Sequence, residues 1–336
     1  MSPPPPHPCE GVFPAHRESG EVEEDDSREE DESGENGAAE IHRGSQAGAG
    51  VQEGASDVKS RTGGSGGDAT GIGMGRILAT GSLAAALVVN GLANRLPLGG
   101  RTTGELSDLY PNLFVPAGVT FSIWGIIYAL LLAWTVAQFL PGSSALGRRL
   151  ALPFALSSIL NGAWLLAWHH TLVVLSVLIM AGLLAVLLRI NVLLSEAPTL
   201  GGKEPVRRSL LPKAAFGVYL GWVLVATLVN ITALLVDRGW DGAGVPDATW
   251  AIVLVLVGAA VAIFTLARVR NPFVGAAVVW AFGGIALNRW DDVPSIAWTA
   301  VAMMLVVGAA SLALAFGALT GAGRVSGGGR PGSARP

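Results

Sequence analysis

Cysteine is nearly absent. The single one, Cys9, lies near the N-terminus, so neither an intrachain disulfide nor a cysteine-based metal site can form. Charge is scarce as well: 14% of the 336 residues are Asp, Glu, Lys or Arg, where a soluble globule carries about 25%. The first 70 residues lack the apolar h-region of a signal peptide. There is no H-E-x-x-H, no P-loop and no Ser/His/Asp order that points to nucleophilic catalysis. Few acids fall inside the apolar runs, which disfavours a proton-coupled pump built on intramembrane carboxylates. No inverted repeat of the kind that marks many secondary transporters is visible.

What is present is apolar: 51% of the residues are hydrophobic and the mean hydropathy is +0.51. The charge that exists is unevenly placed. Residues 1–70 hold 16 of the 25 acidic and 5 of the 22 basic side chains, so a tail of about −11 precedes a body of about +8. Residues 1–73 have too little apolar surface to offset the entropy of ordering, and a disordered acidic tail is expected there, with Met74 as the expected true start. A short disordered basic tail is expected over 321–336.

Between the tails, eight apolar runs are long enough to cross a bilayer, at 77–96, 114–140, 150–168, 172–194, 214–236, 249–267, 272–287 and 296–319. Backbone groups cannot go unpaired in lipid, so each run must be helical, and the expected fold class is an all-α polytopic membrane helix bundle. Lys and Arg concentrate in alternate loops, at Arg148 and Arg149, from Arg189 to Lys213, at Arg268 and Arg270, and in the C-terminal tail. The other loops hold Glu105, Asp108, Asp237, Asp241, Asp247, Asp291 and Asp292 with few bases. The alternation supports an even number of spans in the plasma membrane with both termini cytoplasmic.

Three spans present polar and aromatic residues at helical spacing. In span two, Thr120, Trp124 and Tyr128 share one side, with Gly118, Ser122, Gly125 and Ala129 on the opposite, smooth side, which is expected to seat a neighbouring helix. In span three, Ser157, Asn161, Trp164 and Trp168 share a face, and in span five Tyr219, Trp222, Ala226 and Asn230 do. Gly217 and Gly221 form a G-x-x-x-G pair about half a turn away from that last face. Trp124 and Trp222 lie roughly 12 to 15 Å into their spans at 1.5 Å per residue, too deep for an interfacial belt. For Trp124, Trp164 and Trp222, helix packing and a ligand cavity both fit. Trp168, Trp240, Trp250, Trp290 and Trp298, near span ends, read as belt residues. Asn161 and Asn230 can serve as interhelical glue or as ligand contacts, and Asn90 and Asn94, four apart in span one, read as glue. His169 and His170 diverge by about 100° on a helix, so they cannot both hold one metal, and an interfacial role is expected for them, with axial ligation of a haem-like ligand by one of them as the alternative.

With these residues in view, the chain resembles the TspO/MBR family of tryptophan-rich sensory or translocator proteins. Three blocks carry the resemblance: residues 115–128, with Pro116, Gly118, Phe121, Trp124 and Tyr128 in place; Leu160, Asn161 and Trp164; and Tyr219, Trp222, Ala226, Thr227 and Asn230. The resemblance covers about 77–236, which divides the body into a five-helix core over 74–238 and three additional transmembrane helices over 239–320. It implies a pocket for flat hydrophobic ligands, porphyrins and haem above all and sterols in some members, often in a homodimer. No cofactor is required; haem or porphyrin enters as ligand. Thr120 joins the expected ligand-binding set on its position in span two. Carried over by position, Trp124, Tyr128, Asn161, Trp164, Tyr219, Trp222 and Asn230 line the pocket, and no metal or catalytic residue is implied. Porphyrin photodegradation, known in some bacterial members, is implied by the resemblance alone. The loop over 97–113 lacks the tryptophan usual in the family, which puts that photochemistry in doubt.

The first expectation is thus a membrane receptor or carrier for a planar apolar molecule, with the lipid bilayer as its surroundings and no nucleic-acid partner. A small-solute transporter is the alternative. So is a non-enzymatic regulator acting through helix contacts at Gly217 and Gly221.

Overall fold

The structure, a computed structural model, describes residues 66–95, 101–140, 145–196 and 206–325. The expected acidic tail lies outside the described residues up to residue 65, and the C-terminal tail does so from 326. Among the described residues nine α-helices form in chain order: α1 (Gly66–Arg95), the short α2 (Thr103–Ser107), α3 (Ile123–Ala137), α4 (Ala145–His169), α5 (Val173–Glu196), α6 (Val206–Asp237), α7 (Asp247–Val269), α8 (Pro272–Arg289) and α9 (Pro294–Val325). No strand occurs among the described residues. Eight of the helical stretches are long and apolar enough to cross a membrane, in the number and order expected. The protein is an all-α, multi-pass membrane bundle.

Its surface agrees with that assignment. Leu152, Leu178, Phe264 and Leu305 are each more than 60% exposed, and they belong to four different spanning helices. In water such a belt would be an extended apolar patch; in a bilayer it is the lipid-facing side.

α6 is the axis of the bundle. Of its hydrophobic stretch 61% is buried, against 17% for α9 at the periphery. It packs against α3, α5, α7 and α8, while α9 rests on α8 and α7, and α1 packs on α4. The close approach of α8 to α6 needs the G-x-x-x-G pair. A Cβ on Gly217 would run into Asn271 and Phe273, and one on Gly221 into the Val274 backbone and Ala277. That glycine face is therefore filled from within the chain, which removes it as an open docking strip for another protein.

The turn into α8 is written locally. Arg270 closes α7 in the left-handed conformation, Asn271 caps α8 by accepting from the Phe273 N–H, and Pro272 takes the first helical position, where no N–H is needed. The Asn271 side chain also donates to Asn191 Oδ1 at 2.8 Å and to the Lys213 carbonyl at 2.9 Å, tying α8 to α5 and α6.

Span two departs from a plain helix. Residues 111–117 are non-helical, a 3₁₀ turn covers Gly118–Ser122, and α3 starts only at Ile123. Pro116 cannot donate a ladder hydrogen bond and disfavours the helical region for Val115, so the helix cannot form from 114 as expected. The tighter turn of a 3₁₀ segment also shifts the phase between Thr120 and Trp124.

Candidate functional site

The non-helical run needs hydrogen-bond partners at membrane depth, and α8 supplies them. Asn288 Nδ2 donates to the Val115 carbonyl at 3.0 Å, the Ala117 N–H donates to the Gly284 carbonyl at 3.0 Å, and Trp280 Nε1 donates to the Thr120 carbonyl at 2.8 Å. Trp280, Gly284 and Asn288 recur every four residues, on one face of α8. Gly284 must be glycine, because a Cβ there would strike the Thr120 side chain. At the other end of the run, Asn112 accepts from the Phe114 N–H and donates to the Tyr110 carbonyl, which turns the chain into the bundle.

The segment so held separates two chambers. The outer one has a volume of about 840 Å³ and lies between α1, α2 and α3. Its walls are Leu87, Asn90 and Gly91 of α1, the loop from Thr102 to Asp108, and Phe121, Ser122, Trp124, Gly125 and Tyr128. The inner one is only about 20 Å³ and is enclosed by Trp164, Trp168, Trp222, Val225, Ala226, Val229 and Asn230. Thr103, Pro116, Phe121 and Trp124 face both.

Trp124 is the hub of the aromatic set. Its ring stacks on Tyr128 at 5.5 Å and on Trp164 at 6.0 Å, and meets Tyr219 and Trp222 edge-on at 5.9 and 6.3 Å. Offset and edge-on pairs at these separations are the favoured arrangements of aromatic quadrupoles. The amides lie beneath. Asn161 Oδ1 accepts from Tyr128 at 3.1 Å and from Asn90 at 3.0 Å, joining α3, α4 and α1. Asn230 Oδ1 accepts from Trp164 Nε1 at 3.2 Å and from Ser176 at 3.0 Å, joining α6, α4 and α5. Asn161 Nδ2 and Trp222 Nε1 are buried without a hydrogen-bond partner among the described residues.

Of the eight residues expected at the site, Trp124 and Tyr128 line the outer chamber, and Trp124, Trp164, Trp222 and Asn230 the inner one. Asn161 reaches the outer chamber through its bonds to Asn90 and Tyr128. Tyr219 is 1% exposed and touches Trp124 without lining either space, and Thr120 is turned against Gly284. Gly118, Ser122 and Gly125 were expected to seat a neighbouring helix. They line the outer chamber instead, and a Cβ on Gly118 or Gly125 meets nothing within 4 Å.

Trp168, expected in the interfacial belt, is 3% exposed, stacks on Trp164 and donates to the Thr103 carbonyl. Trp240, Trp290 and Trp298 are exposed at span ends as expected. His169 is buried and His170 exposed, in keeping with their divergence on a helix. The spacing reading missed Trp280, Gly284 and Asn288, although their four-residue interval was there to be read. It also missed Glu105 and Asp108, which belong to the five-residue α2 and its C-cap, too short a helix to show a periodicity.

Fold and site together define an eight-span helical membrane protein with a chamber partitioned by aromatic residues. The family model described as TSPO-like protein matches residues 76–313, more than two thirds of the chain, and the chain belongs to that family. No curated protein and no solved structure matches it. The family match continues through α7 and α8 into α9, so the likeness does not stop near residue 236, as the three tryptophan blocks alone suggest.

Proposed function

We propose that the protein is a receptor or carrier in the plasma membrane, with both termini cytoplasmic, that takes a flat hydrophobic molecule into the outer chamber, tetrapyrroles first among the candidates. The observation that carries this reading is the position of Trp124, one ring that forms a wall of the large chamber and of the small one. About 840 Å³ falls within the roughly 300 to 1,000 Å³ of small-molecule sites. The Trp124 and Tyr128 rings, 19° from parallel, offer a stacking wall for a planar guest. Displacing Trp124 would join the two chambers and bring the free N–H of Trp222 within the guest's reach.

Such a function asks the protein to bind and orient, and no side chain here is assigned to covalent chemistry. A titration of purified protein with protoporphyrin or hemin tests it. Quenching of tryptophan fluorescence that saturates at micromolar ligand, and is lost in Trp124→Leu, supports the reading. Absence of quenching in the wild type by tetrapyrroles of every side-arm charge removes it.

A further inference from the structure

The outer chamber carries a charge signature that its aromatic residues do not explain. Glu105 and Asp108 line it, and no Lys, Arg or His does so among the described residues. Glu105 is fixed in place by a capping box: the Thr102 N–H donates to its carboxylate at 2.7 Å while its own N–H donates to the Thr102 hydroxyl. The Thr102 backbone N–H, then the Thr102 hydroxyl, holds the Glu105 carboxyl below its ordinary pKa, so it is charged at neutral pH. Arg101, the cation next to it, is exposed to water.

The surrounding face has the same sign. Asp237 lies close enough to Tyr110 to add to the upward shift that burial gives the phenol, so the end of α6 stands beside the loop over the chamber. The loops of that face add Asp241, Asp247, Asp291 and Asp292. Its arginines lie close to acids: Arg238 is 3.8 Å from Asp237 and Arg289 is 2.6 Å from Asp292. A field of one sign around a low-dielectric cleft concentrates ligands of the other sign. Inside, the faces of Trp124 and Tyr128 present negative quadrupoles, which also favour a cation.

Given the binding reading above, on which this rests, we infer that the chamber selects planar hydrophobic guests bearing positive charge and discriminates against those bearing carboxylates, with Glu105 and Asp108 as counter-charges. A ring that brings two carboxylates to this mouth meets repulsion and finds no arginine or lysine among the described residues that line the chamber. The same ring carrying amines meets the opposite.

One ring with three charge states separates this from simple hydrophobic capture. Protoporphyrin IX as the free acid, as its neutral dimethyl ester and as a bis-amide with two tertiary-amine arms is titrated into the protein in nanodiscs of phosphatidylcholine, with empty nanodiscs as the partition control. Expected is tighter binding in the order amine, ester, acid, with about tenfold between the extremes, a gap that shrinks as salt is added. In E105Q/D108N the gap falls to about twofold or less, because Gln keeps the capping box while removing the charge. D291N, on the same face but outside the chamber, leaves it largely intact. Equal binding of the three forms, or an unchanged gap in E105Q/D108N, overturns the charge selection while leaving the binding reading standing. Failure of all three to bind overturns both.

Discussion

The two chambers differ about fortyfold in volume, yet they share the wall made by Thr103, Pro116, Phe121 and Trp124. The small one is where the tryptophans are; the large one is where the glycines are. Trp164 stacks on Trp168 and donates to Asn230, and Trp222 meets Phe121 and Trp124 edge-on, and together they leave the inner space little room. Gly91, Gly104, Gly118 and Gly125 open the outer one by contributing no side chain. Large aromatic residues thus mark the floor of a site in this bundle, and room comes from residues with nothing to put there.

The comparison breaks most visibly at the inner wall. Trp222→Ala removes a ring that is 2% exposed and wedged edge-on against Phe121 and Trp124. A loss of about 3 to 5 kcal/mol is expected, read as a lower melting temperature in detergent, together with a new cavity continuous with the outer chamber. A smaller effect is expected where the 115–122 segment meets α8. Gly284→Val drives a side chain into Thr120 and costs about 1 to 3 kcal/mol, and the displaced 115–122 segment changes the outer chamber although Gly284 does not line it. Restoring space with Thr120→Ala in the same chain should recover part of that stability, which a general defect of α8 would not allow.

Filling the outer chamber acts in the opposite sense on stability. In Gly125→Leu the new Cβ meets nothing within 4 Å and replaces a residue that costs a helix about 1 kcal/mol, so the melting temperature holds or rises. Guest binding falls by about tenfold or more, since the new side chain occupies the space between α1 and α3. If binding survives Gly125→Leu and is lost in Trp222→Ala without any loss of stability, the roles of the two chambers are reversed.

Much of this was legible before any coordinates, for a physical reason. Hydrophobic length and loop charge alternation act locally along the chain, so eight spans and an all-α bundle could be read directly. The convergence of Trp124, Asn161, Trp164, Trp222 and Asn230 was also accessible, because residues four apart on a helix share a face. What was hidden depended on partners distant in sequence. The smooth side of span two reads as a packing face, and only the absence of a neighbour at Gly118 and Gly125 makes it a cavity wall. Phe114–Ala117 was read as helix although Pro116 argued against it, and the hydrogen bonds that make the break tolerable come from residues 280–288, more than 150 positions away. Trp168 has the sequence position of a belt residue and the contacts of a core residue, a distinction set by the Thr103 carbonyl.

The α8 clamp gives the smallest test. Trp280 is 43% exposed, so its ring contributes modestly to packing, and its indole N–H bond to the Thr120 carbonyl is what binds it to the chamber wall. Trp280→Phe keeps the aromatic bulk and removes the donor, for an expected cost of about 0.5 to 1.5 kcal/mol. Exchange of the Ala117 amide with deuterium should accelerate in that variant, because its bond to the Gly284 carbonyl belongs to the same grip of α8 on the segment. Trp298→Phe, at a residue 61% exposed, should change neither stability nor exchange at Ala117. Equal behaviour of the two variants would mean that α8 merely lies beside the 115–122 segment, and that the outer chamber keeps its shape through Pro116 and the 3₁₀ turn alone.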